Sequence, residues 1–225
     1  MKAIIFALIA LLGLLPIKAD KNDNALKRNM DKCDFTPKPF AYGPNAELYS
    51  SYNIALWYTV IKPDFKVYKD IQMKTYEMMS QCAGGEIGDL DFYAKFKING
   101  TENVLCLVSY TVVEVFGCIL AITTPQGKVL DTIDVSLGGY GINLQQFIID
   151  EADNIHVYTF IPEEKESFPI EKCCVPPFKT FKGKVKEAVY TISGNRFILE
   201  ETTYSETKYF TCKEEYKGLP NLWDL

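Results

Sequence analysis

A two-residue alternation is the clearest pattern in the chain. In residues 91–98, DFYAKFKI, it sets Phe92, Ala94, Phe96 and Ile98 on one face and Tyr93, Lys95 and Lys97 on the other. That is the period of a half-buried strand. Asn99-Gly100 follows, a pair that tolerates positive φ and predicts a tight hairpin turn. The return strand begins VLCLVSYTVVEV. Residues 104–122 form a 19-residue run with one charge, Glu114, long enough to cross a membrane. Its Val and Ile content, Gly117 and the mid-run Glu114 oppose that reading, since a charge at that depth costs roughly 3 kcal/mol. Two consecutive buried strands are predicted instead.

The strand-turn-strand unit recurs. Pro125 and Gly127 stand between CILAIT and KVLDTIDV. Gly127-Lys128 superficially suggests the end of a phosphate-binding loop. Such a loop needs a GK[ST] ending and a helix whose N-terminus faces the anion. Here Val129 follows the lysine and no helical period begins, so a hairpin turn is predicted. Residues 147–160, FIIDEADNIHVYTF, and 188–201, AVYTISGNRFILEE, repeat the design. Successive hairpins make an antiparallel meander. The fold class is therefore mainly β: a meander of hairpins forming a sandwich, an open barrel or a partial propeller.

Other stretches are less regular. A further strand is expected over 65–73. Residues 45–61 suit a helix at Leu48, Tyr52, Ala55 and Leu56, but a strand in the later WYTVI. Residues 161–180 hold four prolines and read as a loop or an insertion. Residues 20–44 read as a flexible N-terminal arm with a short helix near 25–32. A single β-rich domain is expected over 45–215, and residues 216–225 as an exposed C-terminal tail.

The N-terminus adds a destination. Lys2 precedes an apolar run from Ile4 to Leu15, Pro16 ends it, and Ala19 offers a small residue for cleavage. This is the grammar of a secretory signal peptide over residues 1–19, too short for a membrane span. Its removal takes away two lysines and changes the net charge from −5 to −7. A secreted or periplasmic location follows, with no integral membrane segment left afterwards. An acidic chain is also a poor nucleic-acid binder, because phosphate contacts need clustered Lys and Arg. Seven cysteines, an odd number, are expected to divide between buried thiols and one or two disulfides. Their spacing offers no zinc motif.

Residues 90–204 resemble a group of uncharacterised secreted proteins from Bacteroidetes-type gut bacteria. The resemblance lies in FYAKFKINGTENVLCLVSY, TTPQGKVLDTIDVSLGGYG, FIIDEADNIHVYTF and AVYTISGNRFILEE. It implies a signal peptide and a β-rich extracytoplasmic domain. It brings no activity and no catalytic residues.

Candidate chemistry is sparse. DVSLG, residues 134–138, approaches the GxSxG nucleophile elbow, but Asp134 replaces the first glycine. His156 is the only histidine, so a serine mechanism would need Ser136 and His156 to converge, with Asp150 or Asp153 orienting the ring. Its bland reading is a strand histidine on the solvent face. Asp131 and Asp134 lie three apart on a strand and point to opposite faces, which does not suit a glycosidase pair. Residues 150–154 supply oxygens without calcium-loop spacing, and Asp and Asn are ordinary turn formers. Aromatic residues make up 13% of the chain, and sugar-binding surfaces and interfaces use aromatic faces. Trp57, Tyr58 and Tyr140 are the candidate ligand-binding residues. Asn99-Gly100-Thr101 is a glycosylation sequon, relevant only in a eukaryotic secretory route.

The expected function is a secreted or periplasmic, non-catalytic binding or interaction protein, for a glycan or a partner protein. No catalytic residue, cofactor or metal is nominated. A carboxylate-dependent hydrolase such as a glycosidase is the first alternative, and a structural envelope-associated protein the second.

Overall fold

The computed structural model describes residues 23–43, 90–112, 115–139, 142–163, 180–211 and 219–224. Among them one helix, α1 (Asp23–Lys32), precedes ten strands. These are β1 (Phe40–Tyr42), β2 (Leu90–Lys97), β3 (Val104–Val112), β4 (Val115–Thr123), β5 (Val129–Gly139) and β6 (Ile142–Ile149). They continue as β7 (Ile155–Pro162), β8 (Thr180–Ser193), β9 (Arg196–Tyr204) and β10 (Lys208–Thr211). A short 3₁₀ turn, Leu222–Asp224, ends the described chain.

All ten strands join one antiparallel sheet. From β2 to β8 each strand pairs with the next in sequence; both β9 and β10 pair with β8, and β1 pairs with β6. The meander is open: its order runs out at β2 on one side and at β9 and β10 on the other. A propeller, which needs separate blades, does not fit a single continuous sheet.

The sheet curls on itself. β5 and β9 are four strands apart, roughly 19 Å if the sheet were flat. Yet the Phe197 N–H of β9 donates to Asp131 Oδ2 of β5 over 2.8 Å. The Asn103 side chain, in the β2–β3 loop, likewise reaches Asn195 in the β8–β9 turn at 2.8 Å. Register shifts in β2, β5, β6 and β9 supply local bends, since an extra residue in one strand increases its twist.

Curling gives the sheet an inner face. Its core gathers Phe96, Leu105, Leu107, Leu120 and Ile122 from β2–β4 with Phe147, Ile149, Ile155 and Val157 from β6 and β7. On the outer face of β2–β4, Phe92, Val104, Cys106, Val108, Ile119 and Ala121 pack beneath Leu26 and Met30 of α1. Strands buried on both faces read as continuous apolar runs, which is why residues 104–122 resemble a membrane segment. They are the two strands β3 and β4. No helix among the described residues is long and apolar enough to cross a membrane.

Three expectations need correction. Phe92 does not share a face with Ala94, Phe96 and Ile98. The β2–β3 register slips between Phe92 and Ala94, so Phe92 turns toward α1 while Ala94 joins the inner core. The Asn99-Gly100 turn is wider than a two-residue hairpin, because Lys97 pairs with Val104. Asn99 makes long-range bonds instead, its N–H to Asp153 Oδ2 at 2.7 Å and its side chain to the Glu151 carbonyl at 3.1 Å. The tail, expected to be exposed, is docked: Leu219 and Leu222 are buried.

The described part of the expected N-terminal arm is α1 and β1. Both pack on the sheet, β1 through Phe40, Ala41 and Tyr42 against Ile149, Ile148 and Phe147. The hairpin at Gly127 is observed as expected, joining β4 to β5. Gly127 N–H donates to the Thr124 carbonyl at 2.9 Å, and Lys128 N–H to Thr124 Oγ1 at 3.2 Å. Gly127 has φ +84°, and a Cβ there would stand 2.9 Å from the Lys27 backbone nitrogen. The position thus requires glycine twice, for the turn and for the approach of α1.

Candidate functional site

A group of polar and aromatic side chains gathers on the outer face of β7. Alternation puts Ile155 and Val157 in the core and leaves His156 and Tyr158 half-buried on the other side. Register supplies the neighbours: Tyr158 faces Glu187 of β8 and Gln146 of β6. The turn between β6 and β7 contributes Asp150, and the docked tail contributes Trp223.

His156 stands between two carboxylates. Its Nδ1 is 3.0 Å from Glu187 Oε1, and its Nε2 is 3.8 Å from Asp150 Oδ2. An ionised carboxylate only accepts, so the Nδ1 position carries the proton. Asp150 is fixed by the turn: it accepts from the N–H groups of Ala152 and Asn154 at 2.8 and 2.7 Å, and from the Asn154 side chain at 2.8 Å. Burial pushes its carboxyl up, but the bonds from Asn154 and Ala152 and the nearby His156 together hold it below the usual value.

The aromatic component runs alongside. The His156 and Tyr158 rings stack at 6.4 Å and 11°. Tyr158 meets Trp223 at 6.1 Å and 58°. Burial, then the hydrogen bond to Glu187, pushes the Tyr158 hydroxyl above the ordinary tyrosine range, so it stays protonated and donates. Trp223 is held by buried polar contacts: Leu222 N–H donates to Gln146 Oε1 at 3.0 Å, and Gln146 Nε2 donates to the Pro220 carbonyl at 3.1 Å. The indole also closes over Gly43, where a Cβ would come within 2.8 Å of it.

Most residues singled out from sequence serve other ends. Trp57, Tyr58 and Tyr140 lie outside the described residues. Ser136 is fully buried on the inner face, where its hydroxyl donates to the Gln145 carbonyl at 3.1 Å. His156 is on the outer face, as expected, so the sheet itself separates the two and no Ser136–His156 mechanism forms. Asp131 anchors Phe197 of β9. Asp153, at φ +73°, is buried and pairs with Lys38 while accepting from Asn99. Among the described residues no three His, Cys, Asp or Glu side chains are placed to hold one metal ion.

The two buried thiols among the described residues are unsuited to chemistry. Cys106 is fully buried, and burial pushes its thiol up to about 12. Burial raises Cys118 as well. Neither forms thiolate near neutrality. Cys82, Cys173, Cys174 and Cys212 lie outside the described residues.

The cluster is only partly legible in the sequence. The solvent-facing histidine and the Asp150 turn follow from local pattern. Glu187 and Trp223 do not, because register and tail docking bring them in from 31 and 67 positions away. One signal does exist: Leu219, Leu222 and Trp223 make an apolar set in a tail that would otherwise gain nothing from carrying it.

Comparison with family models, with curated proteins and with solved structures yields no match for this chain.

Proposed function

We propose that the protein is a non-catalytic binding protein of the secreted or periplasmic space. Its ligand is a neutral glycan, bound on the outer face of β7. Export is read from residues 1–19. The observation that carries the binding role is the Tyr158–Trp223 aromatic pair, held beside two half-buried carboxylates that share His156. A sugar ring presents C–H groups that suit an aromatic face and hydroxyls that donate to carboxylates. Asp150 and Glu187 are already oriented by their turn and strand partners, so little ordering cost attaches to binding. Two carboxylates at the site also disfavour an acidic sugar.

A glycan array read with the full chain and its Trp223→Ala and Glu187→Gln variants tests this. Binding to neutral glycans that drops about tenfold in both variants supports the reading. An array with no neutral glycan bound, or binding unchanged in Trp223→Ala, sinks it. A carboxylate-dependent hydrolase is the second reading, because Asp150 and Glu187 flank one group from two elements. Turnover of a bound glycan, lost in Glu187→Gln, would put it first.

A further inference from the structure

The opposite side of β8 carries a different chemistry. Residues 182–186 read KGKVK, so Lys182, Lys184 and Lys186 share one face at roughly 7 Å intervals. Gly183 and Val185 face the other way, toward Phe160: a Cβ on Gly183 would lie 2.6 Å from that ring, and Val185 is buried. Strand pairing flanks the lysines with tyrosines, Lys182 opposite Tyr209 of β10 and Lys186 opposite Tyr204 of β9. Both tyrosines are open to solvent, 75% and 54% exposed. Lys184 Nζ lies 4.5 Å from the centre of the Tyr204 ring. Glu163 pairs with Lys182 at 2.7 Å. Neither Lys184 nor Lys186 has a carboxylate partner among the described residues.

Three cations in five residues, edged by exposed tyrosines, stand out in a chain of net charge −5. We propose that this face of β8 binds an acidic polysaccharide, its carboxylate or sulfate groups on Lys184 and Lys186 and a sugar ring on Tyr204. Charge complementarity selects an anion, and the tyrosine faces select a ring with apolar C–H groups. The acidity of the whole chain opposes nucleic acid, whose dense phosphates demand many more cations. The surface lies across the strand from Glu187 and is separate from the proposed neutral-glycan site. The two can therefore fail separately.

Affinity electrophoresis and titration calorimetry of the full chain test the proposal with four probes. These are polygalacturonate, heparin, fully methyl-esterified polygalacturonate and a single-stranded oligothymidylate. Binding to polygalacturonate or heparin, weakening with salt and absent for the esterified polymer, is the expected result; which of the two binds identifies carboxylate or sulfate as the anion. The paired substitutions Lys184→Gln and Lys186→Gln should weaken it about tenfold, whereas Lys184→Arg with Lys186→Arg should retain it. Binding of neither acidic polymer, equal binding in the glutamine variant, or oligothymidylate bound as tightly as the polysaccharide would overturn it.

Discussion

The two ends of the sheet are built from the same hairpins and do opposite things. Over residues 104–108 and 117–122, β3 and β4 are buried on both faces, the inner one by the curled sheet and the outer one by α1. The β8–β9 hairpin projects from the same core: Tyr190, Ile192 and Phe197 pack against it while Ile198, Leu199 and Tyr204 face water. In the first region nearly every side chain is needed for packing. In the second, strand geometry is set by the ladder and by a few core contacts, which leaves the remaining positions available for lysines, glutamates and tyrosines. Both proposed binding surfaces draw on this second end, one through Glu187 on one face of β8 and the other through the lysines on the opposite face.

The comparison breaks most visibly in paired leucine truncations. Leu120 is fully buried in the inner core, and Leu120→Ala should cost about 3 kcal/mol as lost transfer energy plus an unfilled cavity. Leu199, 52% exposed on the hairpin, should cost less than about 0.5 kcal/mol. Chemical denaturation with an unchanged slope against denaturant measures both. Equal costs would mean that the β8–β9 hairpin is as much core as β4.

What can be read from sequence follows the same division. Strand positions, hairpin turns and the burial of residues 104–108 and 117–122 are local properties of period and turn chemistry, and they are legible. Phe92 is misplaced by the alternation because a bulge adds one residue to β2 and reverses everything before it, while the pattern in the letters is unbroken. The docked tail escapes notice because Leu219, Leu222, Trp223 and Leu225, four apolar residues in the last nine, carry no period. The composition of the β7 cluster is hidden more deeply. His156, Glu187 and Trp223 meet only through the β7–β8 register and the Gln146 clamp, neither of which a local pattern encodes. The lysine stripe sits in plain view in KGKVK, but it becomes a surface only when Tyr204 and Tyr209 fall opposite it.

A smaller effect is expected where the β6–β7 turn is tied to the β2–β3 loop. Asp153 in the β6–β7 turn receives Lys38 from the segment before β1 and the Asn99 N–H from the β2–β3 loop. Asp153→Asn keeps an oxygen for Asn99 and tolerates the left-handed backbone, but takes from the mostly buried Lys38 ammonium its ion-pair partner and leaves it only the neighbouring Asp150 charge. Breaking a buried pair from one side costs more than the pair itself contributes. A loss of about 2 kcal/mol is expected in the same denaturation experiment, and adding Lys38→Met to Asp153→Asn should recover part of it. Additive losses in the double variant would show that Lys38 and Asp153 do not act as a pair.

The smallest expected effect separates the charged end by pH. Asp150 is held below its ordinary value of 3.8, so its folded-state preference stabilises the protein above that pH and fades as pH falls through the lowered value. Tyr158 is shifted the other way. Its stabilising preference is complete below the ordinary tyrosine value of 10.0 and fades as pH rises toward the raised one. Burial raises Tyr93 and Tyr190 in the same sense, so the alkaline limb has several contributors and Tyr158→Phe should flatten it without abolishing it. Asp150→Asn should flatten the acid limb. Each change should amount to about 2 °C in the melting temperature, followed from about pH 2 to 5 and from about pH 9 to 11.5. Because Leu120→Ala should lower both limbs equally, a pH-dependent change confined to the Asp150 and Tyr158 variants assigns these limbs to the β7 cluster. An alkaline limb identical in Tyr158→Phe would mean that the Tyr158 hydroxyl does not hold Glu187, and the cluster would lose the preorganisation on which glycan binding there depends.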